Sequence, residues 1–231
     1  MEQERTFSML PLISSHDEVD NVRTSIFKTN SLAWVAGQSQ AYVLPQAGET
    51  EKVNQHWFTI SSAPFEGTIN ISTRISASPF KQALNAMNPG DQIKAHSLAG
   101  SFIWEEVDSA PVVLVAAGIG ITPFRSILLQ RKALEKSLNA TLLYFNRTSE
   151  IPFQEELQKL SEEHPEFQMK IVIGELITAE RILELAPVAN NKETVFLSGP
   201  APMVSSIGTV LKERGVSIKQ DRFPGYDETN F

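Results

Sequence analysis

The chain has 231 residues, 42% hydrophobic and 20% charged, with 20 Lys and Arg against 27 Asp and Glu for a formal net charge of −7. This balance excludes a disordered or fibrous chain, and an acidic surface lacks the electrostatic footprint of a nucleic-acid binder. Cysteine is absent, so these residues form no disulfide, no thiolate-bound zinc and no Cys-ligated iron–sulfur cluster.

The length suits two domains of roughly 100–130 residues, each able to bury its own core. The first ten residues carry acids where a signal peptide has its basic region. The longest apolar run, Ala110 to Phe124, is too short to cross a bilayer and is broken by Gly and Pro. A soluble cytoplasmic protein is expected.

Up to about Ser109 the chain reads as short strands between turns: Val22–Phe27, Gly37–Leu44, His56–Ser61, Thr68–Ser76 and Asp91–His96. The run from Ile69 to Ile75 shows the period-2 alternation of a half-buried strand. Several short strands at close spacing predict a small antiparallel barrel. One helix interrupts them: Ser78 is a good N-cap, Pro79 fits the first helical position, and Phe80, Leu84 and Met87 share a face. Pro89-Gly90-Asp91 stops it.

After Ala110 strands and helices alternate. Val112–Ala117 is continuously apolar, as a parallel strand covered on both faces must be. A helix is expected from Thr122 to about Ser137, then a strand at Ala140–Phe145, a helix at Pro152–Glu163 and a strand at Gln168–Ile173. A short helix at Thr178–Leu185, a strand at Thr194–Leu197, a helix at Pro200–Arg214 and a strand at Ser217–Phe223 complete the set. The predicted fold is an antiparallel barrel over residues 1–109 followed by a parallel, doubly wound α/β domain over 110–231.

Two turns in the second half have ligand-binding chemistry. Gly118-Ile119-Gly120-Ile121-Thr122-Pro123 follows the first parallel strand, and glycines there let a ligand approach the backbone and the next helix N-terminus. The third glycine of the dinucleotide fingerprint is missing, so a tight turn without ligand is an equal reading of this segment alone. Ser198-Gly199-Pro200 with Met203 repeats the arrangement after the fourth strand. Two such turns on neighbouring strand ends form one crevice.

In the barrel, His56-Trp57-Phe58-Thr59-Ile60-Ser61-Ser62-Ala63-Pro64 resembles the flavin-binding strand of the ferredoxin–NADP reductase superfamily, in the His-x-Phe-Thr form of NADPH oxidases and ferric-chelate reductases. Ala36-Gly37-Gln38, Pro89-Gly90-Asp91, the Gly-x-Gly-x-Thr-Pro turn, Ser198-Gly199-Pro200 and the ending Arg222-Phe223-Pro224-Gly225-Tyr226 are similar to that family's other motifs, in its order. The resemblance covers about residues 20–228.

The resemblance implies an FAD-dependent NAD(P)H oxidoreductase, with FAD and NADP or NAD as cofactors. Phe58 would lie against the flavin, beside His56 and Trp57, with Thr59 at N5 and the Ile60–Ser61 backbone at the polar edge. His56 stands where the family has Arg, so Arg74 and the helix start at Ser78, flanked by Ser76, Phe80 and Lys81, are the candidates for the pyrophosphate. Gly118, Gly120, Thr122, Pro123, Gly199, Pro200 and Met203 would flank the nicotinamide and its pyrophosphate. Ser198 replaces a family Cys beside the hydride path, and it and Thr59 are the catalytic candidates. Asn146-Arg147-Thr148 would meet the adenosine ribose; Arg147 and the lack of an acid at that strand end favour NADPH. Phe223, or else Tyr226, would cover the flavin.

Without cysteine the chain needs a separate electron acceptor: a protein, free flavin, quinone or ferric chelate. Residues 1–109 hold 7 basic and 12 acidic groups, net −5, which disfavours acidic ferredoxins as partners. A flavin-binding sensor, or an electron-transfer subunit without its own NAD(P)H oxidation, is the alternative. His16, His96 and His164 have no partners at metal-ligand spacing, and no metal site is expected.

Overall fold

The computed structural model describes residues 7–29, 32–44, 55–105, 110–187 and 193–223. Its first half is a six-stranded antiparallel sheet made of β1 (Ser8–Val19), β2 (Val22–Lys28), β3 (Ser39–Val43), β4 (Gln55–Thr59), β5 (Thr68–Arg74) and β6 (Gln92–Ala99), in the order β4-β3-β6-β1-β2-β5. Helix α1 (Pro79–Asn85) lies between β5 and β6. The sheet curls until its two edges meet, where the Ser61 N–H and hydroxyl both donate to the Asn70 carbonyl at 3.0 Å. Leu10, Phe27, Tyr42, Ile69, Ile71 and Ile93 fill the interior with no exposed surface. The expected barrel is therefore present.

One strand was not expected. β1 pairs with β6 through Ser8–Pro11 and with β2 from Leu12 onward, so it bends from one partner to the other. Its Pro11 and the polar run that follows hide any alternation, because Pro cannot donate to a ladder and normally marks an edge or a bend.

The second half is a five-stranded parallel sheet: β7 (Val112–Ala117), β8 (Ala140–Asn146), β9 (Phe167–Ile173), β10 (Thr194–Pro200) and β11 (Ser217–Phe223), in the order β11-β10-β7-β8-β9. Helices α2 (Thr122–Ala133), α3 (Gln154–Glu163), α4 (Ala179–Leu185) and α5 (Ala201–Glu213) cover its faces. Every residue of β7 is buried, which explains its unbroken apolar run. One apolar cluster forms around Leu114, Phe124 and Leu142, the other around Val115, Leu143 and Leu197. Burying each such side chain contributes roughly 1.5–3 kcal/mol. The first cluster reaches across to the barrel: Phe102 packs on Phe124 at 5.4 Å and on Phe196 at 5.3 Å.

Two details differ from expectation. α2 ends at Ala133, not Ser137, because Glu135 turns left-handed (φ 53°) and the Lys136 N–H reaches back to the Arg131 carbonyl. A helix stop of this kind normally shows a glycine, and none is there to signal it. Ser78 precedes α1 as expected, but its hydroxyl makes no capping bond. The proposed domain boundary near Ser109 falls among residues outside the description.

Candidate functional site

The parallel sheet reverses its winding between β7 and β10, and ligands of such sheets bind outside the strand ends at that reversal. Both glycine turns lie there. A short 3-10 turn, Gly118–Ile121, leaves β7, and residues 198–200 end β10. A Cβ on Gly120 would stand 2.3 Å from the Ser198 carbonyl oxygen, and one on Gly199 (φ 153°) would stand 2.8 Å from Ala117 Cβ. The two turns thus touch backbone to backbone, which only glycine permits. Thr122 secures the first by donating to the Ile119 carbonyl at 3.1 Å, and Pro123 occupies the first turn of α2. The Ser198 hydroxyl is fully buried and has no hydrogen-bond partner. Such an orphan normally costs free energy, and a polar ligand at the turn would relieve it.

Next to these turns, a cavity of about 410 Å³ opens at the ends of β8 and β9, lined by Asn146, Arg147, Glu175, Leu176 and Met203 among others. Thr148 is not on its wall; its hydroxyl accepts from the Glu150 N–H at 3.4 Å. Glu175 was not anticipated. It follows β9 and not β8, and Arg181 holds its carboxylate at 2.7 Å.

On the barrel side, a cavity of about 340 Å³ runs along β4 to the start of α1. His56, Trp57, Phe58 and Thr59 line it, and so do Ser72, Thr73, Ser76, Ser78 and Lys81. This wall of hydroxyls with one ammonium suits a planar, phosphate-bearing ligand such as a flavin nucleotide. Phe80 lies behind the wall, its ring 4.4 Å from His56 and 5.5 Å from Phe58. Burial, and then the neighbouring Lys81, hold the His56 pKa below the usual histidine value. Both causes favour the neutral His56 ring, and Lys81 supplies a positive charge on this wall, with Arg222 across the cavity. Ile60 is fully buried, and the Ser61 hydroxyl points inward to Asn70 and Ser72. Arg74 does not line the cavity; its guanidinium donates to Asn21 at 3.1 Å.

The same cavity closes against β11. Asp221, Arg222 and Phe223 form its far wall, and Phe223 pairs in register with Pro200 of the second glycine turn. Tyr226 lies outside the described residues. Thr59 donates to the Asp221 carboxylate at 3.2 Å. Part of Asp221 remains solvent-exposed, but its carboxylate sits deep. Burial raises its pKa from 3.8 to about 6, against the opposing pull of the Thr59 hydrogen bond. Asp221 escaped the sequence reading; its one local signal is a carboxylate inside a strand, a position from which Asp is usually excluded.

A further cavity of about 730 Å³ lies beyond these walls between β1, β2 and the start of α3. Glu18, Glu66, Glu155 and Glu156 line it. Arg125 on the same wall pairs Glu66 and Glu156, which leaves Glu18 and Glu155 to disfavour a phosphate-bearing ligand, so size alone does not make it the site.

Comparison with known proteins bears on the fold and on the second domain. Residues 114–209 match the model of the oxidoreductase NAD-binding domain family. The chain is 26% identical over 207 residues to a flavohemoprotein of Candida albicans, covering 83% of this chain and 51% of that protein. It is 25% identical over 214 residues to a plasma membrane-associated coenzyme Q6 reductase of Saccharomyces cerevisiae, covering 87% and 68%. The chain therefore spans about half the length of the flavohemoprotein. Among solved structures, a ferredoxin NADP+ reductase from Neisseria gonorrhoeae, with bound FAD and NADP, superposes with a TM-score of 0.78 at 19% identity, over 95% of this chain and 99% of that one.

Proposed function

We propose that this chain, whose two-domain fold is that of a ferredoxin NADP+ reductase and whose residues 114–209 match the oxidoreductase NAD-binding domain family, is an FAD-dependent NAD(P)H oxidoreductase of the ferredoxin–NADP reductase superfamily that passes electrons to a separate acceptor. Residues 1–109 are the flavin domain and 110–231 the nucleotide domain. The observation that carries this reading is the meeting of Thr59 and Asp221 at 3.2 Å, where the hydroxyl-lined wall of the barrel cavity joins its far wall. This contact joins β4 of the barrel to β11 of the parallel sheet and supports a cleft shared by the two halves.

Bound FAD supplies a hydride-accepting ring that can release electrons singly or in pairs. The chain's own residues do the rest. Lys81, Ser76 and Ser78 would bind the pyrophosphate and balance its charge. Phe58 and Phe223, on opposite walls of the cavity, would hold the ring. Thr59, whose hydroxyl hydrogen goes to Asp221, would turn its oxygen toward the ring edge, and Asp221, with its pKa raised to about 6, could hold or give up a proton behind it. The turns at Gly118–Ile121 and 198–200 would hold the nicotinamide end, with Ser198 offering its unpaired hydroxyl.

The cavity lined by Arg147 and Glu175 would take the adenosine end. Arg147 alone favours a 2′-phosphate, but Glu175 on the same wall accepts from a 2′-hydroxyl and repels a phosphate. NADH is the better fit. The acceptor is a protein, quinone, free flavin or ferric chelate, and the acidic barrel domain favours one without a strongly acidic docking face. Among the described residues no helix is long and apolar enough to cross a membrane, and the acidic, cysteine-free composition suits the cytoplasm.

The test is the visible spectrum of purified, FAD-loaded protein before and after anaerobic NADH or NADPH. Bleaching of the flavin band is expected. An unchanged oxidised spectrum with both nucleotides would overturn the reading in favour of a flavin-binding sensor or relay subunit.

A further inference from the structure

One guanidinium joins the two halves of the cleft. Arg125 lies in the first turn of α2, three residues beyond Thr122, and its side chain is 10% exposed. All five of its N–H donors are used. Nε and Nη2 reach Glu156 of α3 at 2.7 and 3.0 Å, and Nη1 and Nη2 reach Glu66 at 3.0 Å each. The remaining Nη1 hydrogen goes to the Ser61 carbonyl at 2.9 Å. The adjacent Ser126 hydroxyl donates to the Ser62 carbonyl at 2.6 Å, and the Phe153 ring lies 5.2 Å from the guanidinium. The segment leaving the flavin strand, the helix leaving the first glycine turn and the start of α3 are thereby tied to one planar group.

Stability is a poor explanation for this arrangement. Burying a cation with two carboxylates carries a desolvation cost, and apolar side chains of equal volume hold two surfaces together at least as well. Paired forks instead fix distance and direction at once, because the guanidinium is rigid and planar. Burial would lower the Arg125 pKa, but Glu66 and Glu156 raise it further, so the charge persists across the working pH range. The cluster ties the segment that follows the flavin strand to the helix that follows the first glycine turn; it lines the 730 Å³ cavity and neither of the two cavities assigned to cofactors.

We propose that Arg125 is a positioning residue that sets the spacing between the flavin strand and the nicotinamide turn, and through it the rate of hydride transfer. This rests on the reductase reading above. Lysine at the same place keeps the charge but has no fork, so it separates geometry from electrostatics.

The experiment compares wild type, Arg125→Lys and Glu156→Gln, all loaded with FAD, by anaerobic stopped flow with NADH. Absence of reduction in wild type would sink the reductase reading and not the clasp. With wild type active, Arg125→Lys is expected to lose about 10-fold or more in limiting reduction rate, since misplacement of about 1 Å has effects of that order. The dissociation constants for FAD and NAD+ should stay unchanged, and Glu156→Gln should show a smaller loss.

A second readout needs no cofactor. Because the chain has no cysteine, spin labels at Lys28→Cys on the barrel and Lys159→Cys on α3 report the interdomain distance by pulsed EPR. A narrow distribution in wild type and a broadened one in Arg125→Lys are expected. A wild-type reduction rate in Arg125→Lys overturns the proposal, whatever the melting temperature does. If that variant does not fold, a wild-type rate and distance distribution in Glu156→Gln overturn it equally.

Discussion

In the nucleotide domain the cleft wall is main chain, while in the barrel it is side chain. β7 and β10 end in turns that meet backbone to backbone, with Gly120 and Gly199 leaving no room for a Cβ. The barrel faces them with hydroxyls on β4 and β5 and at the start of α1. The supporting strands differ accordingly: β7 is buried throughout, whereas β4 is an edge strand whose Trp57 is 43% exposed. A wall of backbone tolerates no added atom. A wall of hydroxyls loses one hydrogen bond at a time, so the two sides should respond to mutation on different scales.

The largest effect is expected at the backbone wall. Gly120→Ala forces a methyl to 2.3 Å from the Ser198 oxygen, and overpacking of this kind costs about 1–3 kcal/mol. Calorimetry should show a lowered Tm together with loss of NAD(P)H binding and retained FAD binding. If FAD binding falls in parallel with nucleotide binding, the two walls are not separable.

Glu175→Gln tests the mixed wall at the adenosine end. Removing a charged acceptor removes about 1.5–3 kcal/mol of preference, roughly 10-fold and upward in the ratio of kcat/KM for NADPH over NADH. An unchanged ratio would take the ribose away from Glu175.

On the barrel side, Thr59→Ala removes one hydrogen bond, worth about 0.5–1.5 kcal/mol and a several-fold slower flavin reduction with the fold intact. A reduction rate equal to wild type in stopped flow would mean that Thr59 does not face the reacting edge.

The smallest effect, and the one that sharpens the contrast most, is pH dependence from Asp221. Its folded pKa of about 6 exceeds the ordinary 3.8, so its stabilising contribution is full below 3.8 and lost as pH rises through about 6. Asp221→Asn removes that titration. The variant should match or exceed the wild-type Tm at neutral pH and lose the advantage in acid. Parallel Tm–pH curves for the two proteins would show that the carboxylate is not desolvated.

Much of the molecule could be read residue by residue. The continuous apolar run of β7 marks a strand covered on both faces, and the glycines at 118, 120 and 199 mark the crevice because only backbone geometry is needed to form it. The barrel strands show their alternation, except β1, whose Pro11 and change of partner erase it. The hydroxyl wall at Thr59 was legible only through its resemblance to a known flavin-binding strand, since Thr in a strand is ordinary.

What the sequence determined by itself is therefore local: the periodicity that makes each strand and helix, and the glycine turns that leave the strand ends open. What only the tertiary structure decided is which distant polar groups meet. Asp221 finds Thr59 across 162 residues, Arg125 finds Glu66 across 59, and Glu175 comes to line the same cavity as Arg147 from the next strand. Periodicity and propensity act over a few residues. A carboxylate's partner is set by how two sheets dock, and the same Asp or Glu would read as a solvated surface group anywhere else in the chain.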